Sequence, residues 1–171
     1  MRVLTITTPD IENGYGCRVT VWVAGCNRHC PGCHNPHTWA YNQGKELLSD
    51  EVMDKIFYEA GYDYIQGITL SGGDPFDQDE TSLTELLIFI KQFKLEYPNK
   101  DIWIYSGGLY EDFIQNDNIR EILLWCDVLV DGPFKQEKKI LDLPFRGSTN
   151  QRIIDLKKSL YTDMIVEIPV Q

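Results

Sequence analysis

At 171 residues the chain has the size of one domain, and its 43% hydrophobic and 12% aromatic content excludes a disordered polymer. Sixteen basic against 26 acidic residues leave a net charge of −10, which argues against electrostatic binding to nucleic acid or to an anionic membrane. No run approaches the ~18 uncharged apolar residues of a membrane span.

The opening MRVLTITTPD has one basic residue, then alternation and a proline. It is not expected to be a signal peptide, and a cytoplasmic location follows as the default. Arg2–Thr7 alternates as a short strand. Arg18–Ala24 (RVTVWVA) is β-branched and aromatic and reads as a buried strand. It runs into Gly25–Asn35, a loop dense in Gly, Pro, Asn and Cys. Ser49 is placed to cap a helix whose apolar positions are Val52, Met53, Ile56, Phe57 and Ala60. Gly67–Leu70 is a strand ending in Ser71-Gly72-Gly73-Asp74-Pro75. The next helix spans about Asp79–Tyr97, with Leu83, Leu86, Leu87, Ile90 and Phe93 on one face and Pro98 as its stop. Asp101–Tyr105 is a strand ending in Ser106-Gly107-Gly108. A helix near Asn118–Trp125 precedes the strand Asp127–Val130, which ends at Asp131-Gly132-Pro133. A long loop leads to Arg152–Asp155, and a last alternation lies near Met164–Ile168.

Strands followed by Gly-rich turns and then helices are parallel β/α units, and ligands sit at the carboxyl ends of such strands. The chain is shorter than the about 250 residues of a full eight-fold barrel. The expected fold is therefore α/β, a partial, open TIM-like β/α barrel of five to six mainly parallel strands. The domain is expected over residues 1–160, with 161–171 as a tail or edge strand.

Five cysteines are present: Cys17, Cys26, Cys30, Cys33 and Cys126. The odd count and the absence of a signal peptide argue against a disulfide scaffold. Cys17 and Cys126 read as small buried thiols. Cys26, Cys30 and Cys33 share one loop, Cys26-Asn27-Arg28-His29-Cys30-Pro31-Gly32-Cys33-His34-Asn35. Three thiolates on one centre suit an iron–sulfur cube whose fourth iron stays open to a small molecule. Zinc, held by the same three cysteines and His34 or His29, is the competing metal.

The spacing C-x3-C-x2-C after the first core strand, followed by Gly72-Gly73-Asp74 after the next, resembles the radical S-adenosylmethionine (SAM) enzymes. Within that superfamily the chain is similar to the activases of anaerobic (class III) ribonucleotide reductase. The likeness covers about residues 1–160. It rests on VWVAGCNRHCPGCHNPHTW (21–39), LSGGDPF (70–76), VDGPF (130–134) and FRGSTNQRIID (145–155). The activase of pyruvate formate-lyase is similar through Cys-His-Asn and Thr38-Trp39, but carries an aromatic residue where Gly32 stands.

This resemblance implies that Cys26, Cys30 and Cys33 hold a [4Fe–4S] cluster, with SAM chelating the fourth iron. It assigns the SAM ammonium to Asp74, a close backbone approach to Gly72 and Gly73, and adenine to Gly32, Cys33 and His34. It also implies reductive cleavage of SAM to methionine and a 5′-deoxyadenosyl radical, which abstracts a hydrogen from a glycine of the reductase. The reductase is then the protein substrate, and a flavodoxin is the typical electron donor. A radical SAM enzyme acting on a metabolite and a zinc-stabilised binding module are the alternatives.

Other residues have plainer readings. His29 and His34 are expected to make local hydrogen bonds, Arg28 to be solvated, and Trp22 and Trp39 to be core aromatics. Ser106 and Asp131 are expected at strand ends facing the site. No cation site is carried over there, because Tyr105 replaces the acid that such a site needs. Arg146, Asn150 and Arg152 could bind SAM, lock their loop or face the partner. Asp77–Glu80 reads as a solvated helix start.

Overall fold

The computed structural model describes residues 1–170; Gln171, the last position of the expected tail, lies outside them. Seven strands form one open sheet: β1 (Arg2–Asp10), β2 (Cys17–Val23), β3 (Lys45–Glu46), β4 (Ile65–Gly72), β5 (Asp101–Tyr105), β6 (Val128–Asp131) and β7 (Arg152–Asp155). Their spatial order is β3-β1-β2-β4-β5-β6-β7. The pairs β2–β4, β4–β5 and β5–β6 are parallel, whereas β1–β2, β1–β3 and β6–β7 are antiparallel. The sheet is thus larger than the expected five to six strands and parallel only in its centre. Only strands joined through helices can run parallel at close quarters; β1 reaches β2 through a short loop and returns antiparallel. The expected barrel is met as far as an open α/β sheet with a parallel centre.

The five helices are α1 (Asp50–Ala60), α2 (Glu80–Glu96), α3 (Tyr110–Phe113), α4 (Asp117–Leu123) and α5 (Leu156–Thr162). Val52, Ile56 and Ala60 recur every fourth residue and bury one stripe of α1. Ser49 stands at the N-cap position but its hydroxyl donates back to the Glu46 carbonyl rather than capping. Asp79 does cap α2, accepting the Ser82 N–H at 2.7 Å. On α2 Leu83, Leu86, Phe89, Ile90 and Phe93 are buried, so Phe89 joins the expected face, while Leu87 is half-buried.

Side chains alternate across the sheet and create two unlike faces. Val19, Val21, Ile68, Leu70, Ile102, Ile104 and Leu129 meet the buried residues of all five helices in one large core. The opposite face presents Arg18, Thr20 and Trp22 from β2, Thr69 and Ser71 from β4, and Trp103 and Tyr105 from β5. Trp103, Val128, Val130 and Ile153 form a small second cluster there, with Phe145 packed against it. Past α5, Asp155 N–H bonds the Val166 carbonyl and Ile168 N–H the Ile153 carbonyl, laying residues 166–168 along β7. No helix among the described residues is long and apolar enough to cross a membrane.

Candidate functional site

The carboxyl ends of β2, β4, β5 and β6 lie side by side, and the turns that follow them border a pocket of about 460 Å³. Cys26, Cys30, Cys33 and His34 line it from the β2 loop, Ser71, Gly72, Gly73 and Asp74 from β4, and Ser106 and Gly107 from β5.

The first two turns are locked to each other. Gly73 N–H bonds the Val23 carbonyl and Asp74 N–H the Gly25 carbonyl, both at 2.8 Å. Gln78 adds amide bonds to the Ala24, Gly25 and Asp74 carbonyls at 3.0, 3.3 and 3.0 Å. A side chain at Gly73 would run into the Gly25 backbone, and Gly72 has φ +110° with Val23 only 2.7 Å from where a Cβ would stand. These glycines therefore bring two backbones together beside the thiols. Asp77 accepts the Asn27 N–H and ties down the start of the cysteine loop, so it does more than solvate a helix start.

Asp74 is 1% exposed. Its Oδ1 accepts Ser106 Oγ at 2.7 Å and the Phe76 N–H at 3.0 Å. Its Oδ2 accepts Arg28 Nε at 2.7 Å and the Gly107 N–H at 3.0 Å. Arg28 is thus the counter-ion of a buried carboxylate and not a solvated side chain. Among the described residues this pair is the direct charge contact between the cysteine loop and the Gly-Gly-Asp turn.

All five cysteines are free thiols. Burial pushes the Cys26 thiol up; the N–H groups of Arg28 and His29 pull it down, while Asp74 and Asp77 reinforce the rise. Cys33 Sγ accepts the Asn35 N–H at 3.4 Å. Three thiols facing one pocket, two of them already taking backbone N–H bonds, suit an iron–sulfur cluster, whose sulfurs are commonly stabilised in this way. Among the described residues no three His, Cys, Asp or Glu side chains converge closely enough for a single metal ion. A multi-iron cube spans more space than one ion, and thiols spaced around a wall accommodate it.

Comparison with known proteins points to a [4Fe–4S] cluster. Residues 12–154 match a family described as "4Fe-4S single cluster domain". An anaerobic ribonucleoside-triphosphate reductase-activating protein of Pasteurella multocida (strain Pm70) is 41% identical over 147 residues, covering 84% of this chain and 90% of that one. Its counterpart in Haemophilus influenzae is 38% identical over 156 residues, 90% and 97% of the two chains. That of Enterobacteria phage T4 is 37% identical over 145 residues, 84% and 87%. The chain belongs to the family of anaerobic ribonucleoside-triphosphate reductase-activating proteins.

Not every residue singled out from the sequence of this family member lines the pocket. Gly32 sits on the outer side of the cysteine loop at φ +73°, with Gln136 about 3.0 Å from where a Cβ would be. His34 packs on Phe134 at 5.0 Å and His29 on Trp39 at 4.4 Å between ring centroids, so both histidines stack where local hydrogen bonds were expected. Trp22 and Trp39 are half-buried pocket walls outside both apolar clusters, because position 22 alternates onto the face away from the helices. Cys126 is buried in the main core as expected, and its thiol is pushed up by that burial. Cys17 is only half-buried at the core margin.

Ser106 reaches the pocket, but Asp131 does not line it. Asp131 accepts the Tyr110 N–H at 2.9 Å and Arg152 Nε at 2.8 Å, while Arg152 also grips Glu111 through two nitrogens at 2.9 and 2.7 Å. Asn150 bonds the Pro133 carbonyl, and Gln151 bonds the Gly132 carbonyl and the N–H groups of Gly147 and Ser148. Asn150 and Arg152 are therefore loop fasteners. Arg146 lines the pocket, with Nη1 on the Gln151 carbonyl at 3.2 Å.

Sequence reasoning passed over Arg18. Lodged in an apolar strand, it is fully buried beneath the pocket. Its nitrogens bond Thr69 Oγ1, the Ile68 carbonyl and the Tyr15 carbonyl at 2.7, 2.7 and 3.1 Å, and Asp101 lies 2.6 Å away. A single arginine inside RVTVWVA was the available signal, since such a charge is tolerated only when paired.

Proposed function

We propose that this chain is a radical SAM activase of anaerobic ribonucleotide reductase, with Cys26, Cys30 and Cys33 as the three protein ligands of a [4Fe–4S] cluster. The observation that carries the reading is that those thiols and the Gly72-Gly73-Asp74 turn, 39 to 48 positions apart between Cys26 or Cys33 and their partners in that turn, share one pocket. The names of the relatives supply the partner, a reductase, and the family supplies the cluster. When bound, the cluster and SAM together supply one-electron chemistry that yields a 5′-deoxyadenosyl radical able to take a hydrogen atom from a glycine of the reductase.

The chain's own residues bind and orient. Asp74 offers its carboxylate to the SAM ammonium, a charge-assisted contact. Gly72 and Gly73 leave the wall beside it bare of side chains. Cys33 and His34 flank the adenine, with Gly32 giving their loop its left-handed turn. Trp22, Trp39 and Phe134 narrow the pocket and limit the access of water to it. The loops around the mouth admit a glycine-bearing segment of a second protein. A flavodoxin-type carrier delivers the electron. The proposed compartment is the reducing cytoplasm, a reading that free thiols and a redox-labile cluster support.

The test is anaerobic reconstitution with iron and sulfide, then incubation with reductant, SAM and the reductase. A glycyl-radical signal by electron paramagnetic resonance, with 5′-deoxyadenosine formed, is the expected result. A fully loaded protein that cleaves SAM only when given a small metabolite, and yields no protein radical, overturns the reading.

A further inference from the structure

A carboxylate has about four acceptor positions on its two oxygens. In Asp74 all four are taken: Ser106 Oγ and the Phe76 N–H on Oδ1, Arg28 Nε and the Gly107 N–H on Oδ2. Two of these donors are backbone groups fixed by the turns, and Ser106 is itself buried and held by the Gly108 N–H at 3.1 Å. Arg28 differs. Its side chain is 35% exposed while Asp74 is 1% exposed, and it is the sole cation among the four. An incoming ammonium thus finds no free acceptor until one donor leaves, and the solvent-accessible, charged one is Arg28.

The β5 turn is shaped around this arginine. A Cβ on Gly107 would come within 2.5 Å of Arg28 Cδ and 3.0 Å of Nε, and one on Gly108 within 2.8 Å of Nη2. Two successive glycines hold open the slot in which the guanidinium lies. A buried carboxylate left without a partner is costly, so a stand-in cation keeps the free site folded.

We propose that Arg28 is a positioning residue that neutralises Asp74 in the free protein and is exchanged for the ammonium of SAM on binding. This rests on the reading of Asp74 as the seat of that ammonium. The exchange makes the site selective for a cationic ligand, since a neutral one cannot replace the charge that leaves.

The test uses cluster-loaded protein, with iron content measured for each sample. In Arg28→Ala the free protein should melt roughly 5 °C or more below wild type. SAM, titrated calorimetrically, should bind about tenfold more tightly, because nothing has to be displaced. Gly107→Ala, which crowds Arg28 from the other side, should shift affinity the same way by less. In wild-type protein, labelling of Arg28 by phenylglyoxal, mapped by mass spectrometry, should accelerate several-fold when SAM is added. Unchanged or weaker SAM binding by loaded Arg28→Ala, or slower labelling of Arg28 with SAM, overturns the exchange and leaves the functional reading standing. A loaded wild-type protein that binds no SAM overturns both. Should Arg28→Ala fail to load, the labelling of the wild-type protein decides alone.

Discussion

The two faces of the sheet do different work. The helix-covered face is mainly apolar and takes its residues from every helix. The other carries Arg18, Thr20, Thr69 and Ser71, has a small apolar cluster, and is covered by loops. Cohesion comes from the first. On the second, Arg18 and Thr69 bond each other and neighbouring carbonyls, and the face leads up to the pocket at the strand ends. Stability and chemistry are thereby separated across one layer of backbone, and substitutions should sort by face.

The largest contrast is expected among the cysteines. Cys26→Ala, Cys30→Ala and Cys33→Ala should each abolish the cluster's visible absorption and SAM cleavage, with circular dichroism unchanged. Cys126→Ala should keep both and cost only about 1 kcal/mol, as a small core truncation. Loss of the cluster in Cys126→Ala would erase the distinction between the faces.

Next come the anchors of each face. Phe89→Ala should cost about 3–5 kcal/mol in urea unfolding, the range for deleting a buried aromatic ring. Arg18→Met should cost about 2–4 kcal/mol, because it strips partners from Thr69 and from the Ile68 and Tyr15 carbonyls beneath the pocket. Arg18→Met should also weaken SAM binding, whereas Phe89→Ala, where folded, should not. Equal effects on binding would show that the faces are not independent.

Much of this layout was legible in the sequence. Long periodic segments such as α2 and the β-branched run of β2 announced themselves. The short elements did not. Four residues of α3, two of β3, and α5 starting directly from the end of β7 offer too little periodicity to register. Strand direction was equally hidden, since β7 reads locally like β5 yet runs antiparallel to its neighbour. At the site, the cysteines and the Gly-Gly-Asp turn stood out because each is a compact local pattern. The Arg28–Asp74 pair spans 46 positions, and nothing near Arg28 marks its partner.

The smallest expected effect is electrostatic. The Arg152 guanidinium holds Glu111 down to about 2, against an ordinary value near 4.3 in the unfolded chain. A depressed carboxyl adds stability that is complete above about pH 4.5 and disappears as the pH falls towards 2. Glu111 is 53% exposed, so solvent screening keeps the contribution below about 1 kcal/mol. The urea midpoints of wild type and Glu111→Gln should therefore differ at pH 6, draw together through pH 3 and converge below about pH 2. A difference that persists below about pH 2 would mean that the pair acts through packing and not through charge.

The cover over the polar face is coil pinned at a few points: the Tyr15 carbonyl on Arg18, and Asn150 and Gln151 on residues 132 and 133. Segments fastened by a handful of bonds open at far smaller free energies than a packed helix layer. Amide hydrogens in residues 11–16 and 133–151 should consequently exchange with deuterium well ahead of those in α2. A docking protein could part that covering while the interior beneath the helices stays shut.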